Sequence, residues 1–201
     1  ELTGKKPILQ IGFPYVDVLK LPNVIFEGSQ LLLTTDPEKI AFELDRQKPA
    51  AIIVEIPSNP LLQCVDLETI SKLAHSRGIP MLIDDTIGSP INIDTLPYAD
   101  LIFSSLTKSF AGRGDILAGS LTISPESFWK KELSQLIPKK IVASLSDPDS
   151  IALEDASKDV INRVPQLNFA CNKLKSHLEK DPNIERVLHP SDCPNFKKLM
   201  K

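Results

Sequence analysis

Ala51-Ile52-Ile53-Val54-Glu55 and Met81-Leu82-Ile83-Asp84, with a helix signal between them, decide the fold of this chain. Each is a short apolar run without polar alternation, the pattern of a strand buried on both faces. The first run ends at Pro57. Between the two runs Asp66 is placed as a helix cap, Leu67, Ile70, Leu73 and Ala74 share one helical face, and Gly78 closes the helix. Strand, helix, strand in this rhythm predicts a parallel sheet joined by crossovers. Downstream, Leu101-Ile102-Phe103 predicts a third strand and Leu117 to Ile123 a fourth. Upstream, Asp36-Pro37-Glu38 predicts a helix start, with the aspartate as cap and the proline at the first helical position. Ile40, Ala41 and Leu44 give that helix its apolar face, and Pro49 lies beyond its end. The class is α/β.

The last quarter of the chain has a different pattern. Leu153, Ala156, Val160, Val164, Leu167, Cys171, Leu174 and Leu178 recur at spacings of three and four. This predicts one long amphipathic helix, kinked at Pro165 and ended by Asp181-Pro182-Asn183. Ser144 to Ser150, rich in Ser, Asp and Pro, reads as the loop before it. A long helix leaving a sheet domain also suits a connector to another domain.

Composition narrows the function. The 201 residues are 42% hydrophobic and 24% charged, an ordinary globular balance with enough chain for one sizeable core. A formal net charge of -3 supplies no broad basic face, which argues against nucleic acid or an anionic membrane as partner. No apolar run approaches membrane-spanning length. Cys64, Cys171 and Cys193 are odd in number and far apart, with no CxxC pair, so neither a disulfide framework nor a zinc site is indicated. A reducing, cytoplasmic compartment fits that usage. His189 and Cys193 are four apart, but no second ligand pair accompanies them. The first residue is Glu1, and the chain reads as a piece of a longer fold.

In parallel sheets, ligands bind beyond the carboxyl ends of the strands. The polar groups fall there: Ser58 and Asn59 after the first run, Asp84 at the end of the second, and Ser105-Leu106-Thr107-Lys108 after the third. These are the parts of a site for pyridoxal 5′-phosphate (PLP). The Lys108 amine can form a Schiff base with the cofactor aldehyde. The hydroxyls of Ser105 and Thr107 can bind its phosphate. The Asp84 carboxylate can hold the pyridine nitrogen protonated, which makes the ring an electron sink.

Four segments resemble one family. Glu55-Ile56-Pro57-Ser58-Asn59-Pro60-Leu61-Leu62, Leu73-Ala74-His75-Ser76-Arg77-Gly78, Ile83-Asp84-Asp85-Thr86 and Ser105-Leu106-Thr107-Lys108 are similar to signatures of the Cys/Met-metabolism PLP enzymes. Gly12-Phe13-Pro14-Tyr15-Val16-Asp17, Asp84-Asp85-Thr86-Ile87-Gly88 and Leu96-Pro97-Tyr98-Ala99-Asp100 resemble the fungal cystathionine γ-synthase branch. The resemblance implies an aspartate-aminotransferase-like fold, PLP fold type I, with a mostly parallel sheet and flanking helices. Residues 1–150 match the central part of the PLP-binding large domain, truncated at both ends. Residues 151–201 match a connecting helix and the start of the carboxyl-terminal domain. By position, Lys108 matches the Schiff-base lysine, Asp84 the pyridinium partner, Ser105 and Thr107 the phosphate ligands, and Asn59 the amide near the cofactor 3′-oxygen. The implied reaction is γ-replacement, in which an O-acylhomoserine loses its acyl group and cysteine adds to give cystathionine, a step towards methionine. The implied assembly is a homodimer or homotetramer acting on small amino-acid substrates.

The sequence also departs from that pattern. Ile11 stands where the wider family stacks an aromatic residue on the cofactor ring, which leaves Phe13 or Tyr15 as substitutes. The glycine loop that caps the cofactor phosphate and the arginine that grips the substrate carboxylate match no part of residues 1–201. Two other readings stay open: a non-catalytic homologue serving as scaffold or oligomer partner, and a related γ- or β-elimination lyase. Ser105-Leu106-Thr107-Lys108 also fits S-x-x-K of the penicillin-binding proteins, but the S-D-N and K-T-G partners are lacking. His75 reads as a residue compensating a helix end.

Overall fold

The computed structural model describes residues 6–25, 28–141 and 145–200. The chain runs β1 (Ile8–Ile11), α1 (Val16–Ile25), β2 (Ser29–Leu32), α2 (Pro37–Gln47), β3 (Ala51–Glu55), α3 (Leu67–His75), β4 (Met81–Asp84), α4 (Ser89–Asn92), β5 (Leu101–Ser105) and β6 (Gly119–Ile123). It continues through α5 (Lys130–Lys140), α6 (Asp147–Ser157), α7 (Val160–Leu178), a 3₁₀ turn (Pro190–Asp192) and α8 (Phe196–Leu199). The strands form one six-stranded sheet in the order β2-β1-β3-β4-β5-β6. All neighbours are parallel except β5 and β6, which pair antiparallel.

The core lies where the apolar strands meet α2 and α3. Leu9, Ile52, Val54, Met81 and Ile83 from the sheet are buried with Ile40 and Leu44 of α2 and Leu67, Ile70 and Ala74 of α3. Both expected caps form. Asp36 accepts from Glu38 N at 3.0 Å, and Asp66 accepts from Thr69 N at 3.1 Å. Gly78 takes a positive φ of 64° where the chain turns out of α3, a conformation that costs glycine little.

The structure adds β1, α1 and β2 to the expected elements. α1 contains Pro22, which has no N–H to give the Val18 carbonyl one turn earlier. Gln10 of β1 supplies the missing donor: its buried amide gives Nε2 bonds to Val18 O at 3.3 Å and Leu19 O at 3.2 Å. A strand side chain thus repairs the helix and docks it on the sheet.

The single long helix expected from Leu153 to Leu178 is two helices. α6 ends at Ser157, and α7 restarts at Val160 after Lys158 and Asp159. Arg163 accounts for the break, since its guanidinium takes the Ala156 carbonyl at 3.2 Å and also pairs with Asp159. Pro165 sits inside α7 in its second turn. The expected loop before this region is mostly helix as well, because α6 starts at Asp147, capped by Ser146. Ser144 of that loop lies outside the described residues. Among the described residues, no helix is long and apolar enough to cross a membrane.

Candidate active site

The sheet reverses its order at β1 and β3. From β1 the chain leads to β2 on one side, and from β3 it leads to β4 on the other. The crevice beyond the carboxyl ends of the strands opens from this reversal across to β5 and β6. A cavity of about 1020 Å³ lies there, and Asn59, Asp84, Ser105, Thr107 and Lys108 all line it. The five residues singled out in the sequence are therefore brought to one place. Glu55, Thr86, Tyr15, Asp17 and Phe103 line it with them.

Each strand end delivers its residues by register. Glu55 ends β3 and Asp84 ends β4, and the two are direct partners across that parallel pair. Both are buried, at 4% and 5% exposure. Burial raises the Asp84 carboxyl above the usual range, while hydrogen bonds from the Thr86 hydroxyl and N–H pull it back. Thr86 also accepts from Ser105 N at 2.8 Å, which ties the end of β4 to the end of β5. The Thr107 hydroxyl accepts from Ala118 N at 3.2 Å and so fixes the turn that leads to β6.

Lys108 follows β5 and is exposed at the cavity. The loop that carries it is held from behind by Arg163 of α7, which donates to Phe110 O at 2.6 Å and Ser109 O at 3.3 Å. Gly112 closes that loop at φ +70°, and a Cβ there would lie 2.7 Å from Arg163 Nε. Glycine is favoured at this position by the backbone angle, and a larger residue would also have to displace the Arg163 guanidinium.

Ile11, which occupies the place of the stacking aromatic, is buried in the core at 1% exposure and does not line the cavity. Tyr15 does line it, and Phe13 does not. His75 pairs through Nε2 with the buried Asp100 at 2.9 Å, at the opposite end of the sheet. It thereby joins α3 to the start of β5 and plays no part in the crevice.

Sequence reasoning passed over Glu55 and Thr86 as site residues. Glu55 left a signal, an acid ending an otherwise apolar strand. Its carboxyl is pushed up to about 7, by burial first and by the neighbouring Asp84 second, against N–H bonds from Asn59 and Tyr15. The folded state therefore holds a proton that the unfolded chain releases near pH 4.5. Stability from this group is complete below the unfolded value and is lost as pH rises through about 7. The Glu55→Gln variant is expected to lack this loss. Between pH 5 and pH 8 it should gain on the parent protein by up to about 3 kcal/mol in urea unfolding. Parallel pH profiles for the two proteins would refute this.

The chemistry of the donor set fits PLP. Asp84 is a buried carboxyl with no cation among the groups that act on it, which suits a cationic ring nitrogen. Lys108 is an amine at the same cavity with freedom to reach an aldehyde carbon. A mostly parallel sheet with helices on its flanks is the fold of the type I PLP enzymes.

The chain belongs to the Cys/Met metabolism PLP-dependent enzyme family, whose profile matches residues 28–201. It is similar to cystathionine gamma-synthase of Neurospora crassa, with 29% identity over 93% of this chain and 31% of that protein. It is 31% identical to cystathionine gamma-synthase of Saccharomyces cerevisiae, over 96% of this chain and 30% of that one. Among solved structures it resembles apo CalE6, a methionine gamma lyase from Micromonospora echinospora. The TM-score is 0.85 at 25% identity, covering 99% of this chain and 57% of the other. The chain thus spans about a third of the length of these two curated relatives. The cofactor of the family is PLP.

Proposed function

We propose that this chain carries the cofactor-binding part of a transsulfuration enzyme of the cystathionine γ-synthase kind, a transferase that exchanges the acyl group of an O-acylhomoserine for cysteine. The observation that carries the reading is the meeting of Lys108 and the buried Asp84 at one cavity of about 1020 Å³. PLP bound there supplies an electron sink for negative charge that develops on the substrate carbon next to the amino group. Lys108 holds the aldehyde carbon and moves protons at its Nζ. Asp84 keeps the proton on the ring nitrogen. Asn59 offers its amide to the 3′-oxygen, and Ser105 and Thr107 offer hydroxyls to the phosphate. Tyr15 and Phe103 are aromatic residues at the same cavity, where a ring partner is wanted in place of Ile11.

The choice of γ-replacement rests on the two synthase relatives. The likeness to a methionine gamma lyase supports elimination as the second reading. A cytoplasmic homo-oligomer accompanies the proposal. The oligomer is supported by apolar surface left open on α1 and α7, where Val24 is 77% and Phe169 63% exposed.

The test is a visible spectrum of the natural chain containing residues 1–201 with added PLP, followed by borohydride reduction and peptide mapping. A reduced cofactor mass on the Lys108 peptide is expected, and cystathionine should then form from an acylhomoserine and cysteine. Attachment without turnover would favour the scaffold reading. No attachment at all would refute the cofactor assignment.

A further inference from the structure

We infer that Glu55 is a positioning residue of the cofactor site, one that ties the turn before α1 to the turn after β3 through a single carboxylate oxygen. The inference rests on the PLP reading above. Glu55 stands at the end of β3, at the reversal point of the sheet. Its Oε2 accepts from Tyr15 N at 2.7 Å and from Asn59 N at 3.2 Å. The two donors lie 40 residues and 4 residues away in the chain. The β1–β3 ladder ends at Ile11 and Val54, and beyond it one oxygen ties together the two turns that follow these strands.

Both ends of this clamp carry residues of the crevice. The turn at Tyr15 opens α1, whose Asp17, Val18 and Leu21 line the cavity. The turn at Asn59 brings the amide proposed to meet the cofactor. Burying a carboxyl beside Asp84 is unfavourable, and sheet packing alone would be served by an apolar residue. The position keeps an acceptor that reaches both N–H groups. The other titratable side chains described at the cavity are those of Tyr15, Asp17, Asp84 and Lys108, and the Glu55 carboxyl takes its two bonds from the backbone of Tyr15 and Asn59 instead.

The experiment is equilibrium dialysis of PLP against the parent protein and the Glu55→Ala, Glu55→Asp and Glu55→Gln variants, with urea unfolding of each protein free of cofactor. Glutamine keeps an oxygen at the same reach and is expected to bind PLP within about threefold of the parent. Alanine has no acceptor, and aspartate is one methylene too short to serve both donors. Each is expected to bind about tenfold more weakly or worse. If the alanine variant does not unfold cooperatively, the aspartate variant carries the comparison. Two results would overturn the inference: parent-like affinity in the alanine and aspartate variants, or a glutamine variant as weak as alanine. A parent protein that binds no PLP would overturn the cofactor reading and this inference with it, which separates the two failures.

Discussion

Lys108→Ala is expected to abolish covalent attachment of PLP while leaving the protein folded. Lys108 lies on the loop after β5, exposed at the cavity that also holds Asp84, Ser105 and Asn59. The loop is held by its backbone, through Arg163 and through the bond from Gly112 N to Lys108 O at 2.8 Å. The side chain itself adds little to folding, so removing it should change stability by no more than about 0.5 kcal/mol. Chemically the loss is complete, because alanine has no amine to hold the aldehyde carbon. Mass spectrometry after borohydride reduction reads the result directly. The parent should carry the reduced cofactor on the peptide containing residue 108, and the variant should carry none. PLP should still associate without a covalent bond, through Asp84, Asn59 and the two hydroxyls. A cofactor mass trapped elsewhere in the variant, in parent-like yield, would refute the assignment of Lys108.

The largest effect on stability is expected at the other end of the sheet, from Asp100→Ala. Asp100 is 1% exposed and its two oxygens serve three donors. Ser127 Oγ donates to Oδ1 at 2.6 Å, Met81 N donates to Oδ2 at 2.8 Å, and His75 Nε2 meets Oδ2 at 2.9 Å. Burial would raise this carboxyl, but the hydrogen bonds from His75, Ser127 and Met81 outweigh it and hold it below the usual range. Alanine would strand the buried N–H that starts β4 and release α3 from β5. A loss of about 3 kcal/mol in urea unfolding is expected, since unmet buried donors forfeit their full desolvation cost. The pH dependence has the opposite sign from that of Glu55. A depressed carboxyl gives stability above its unfolded value and loses it as pH falls through the folded one. A loss under about 1 kcal/mol would mean that water replaces the carboxylate at all three donors.

Much of the scaffold was legible in local pattern. The apolar runs at 51–55, 81–84 and 101–103 read as strands and lie in β3, β4 and β5, and Asp36 and Asp66 have cap geometry written into their neighbours. β1 and β2 were missed because four residues carry no period, and Gln10 interrupts the apolar run of β1. α1 was missed because Pro22 reads as a breaker unless the strand amide that compensates for it is known. The break between α6 and α7 was missed for a related reason. The heptad-like spacing continues through it, and a side chain six residues beyond the end of α6, Arg163, competes for the carbonyl of that helix.

The sequence by itself determined the strand-helix rhythm, the caps and the family signatures. It also placed a lysine, an aspartate, an asparagine and two hydroxyls at or just beyond strand ends. These follow from residue type and short spacing, which act locally on the backbone. Only the tertiary structure decided the strand order, the antiparallel pairing of β6, and the depth at which each carboxyl lies. Register across β3 and β4 sets Glu55 beside Asp84, which adds to burial in raising the Glu55 carboxyl, and this depends on neighbours 29 residues apart in the chain. Charge state and reach are properties of the surroundings, and in this crevice the surroundings come from four different strands.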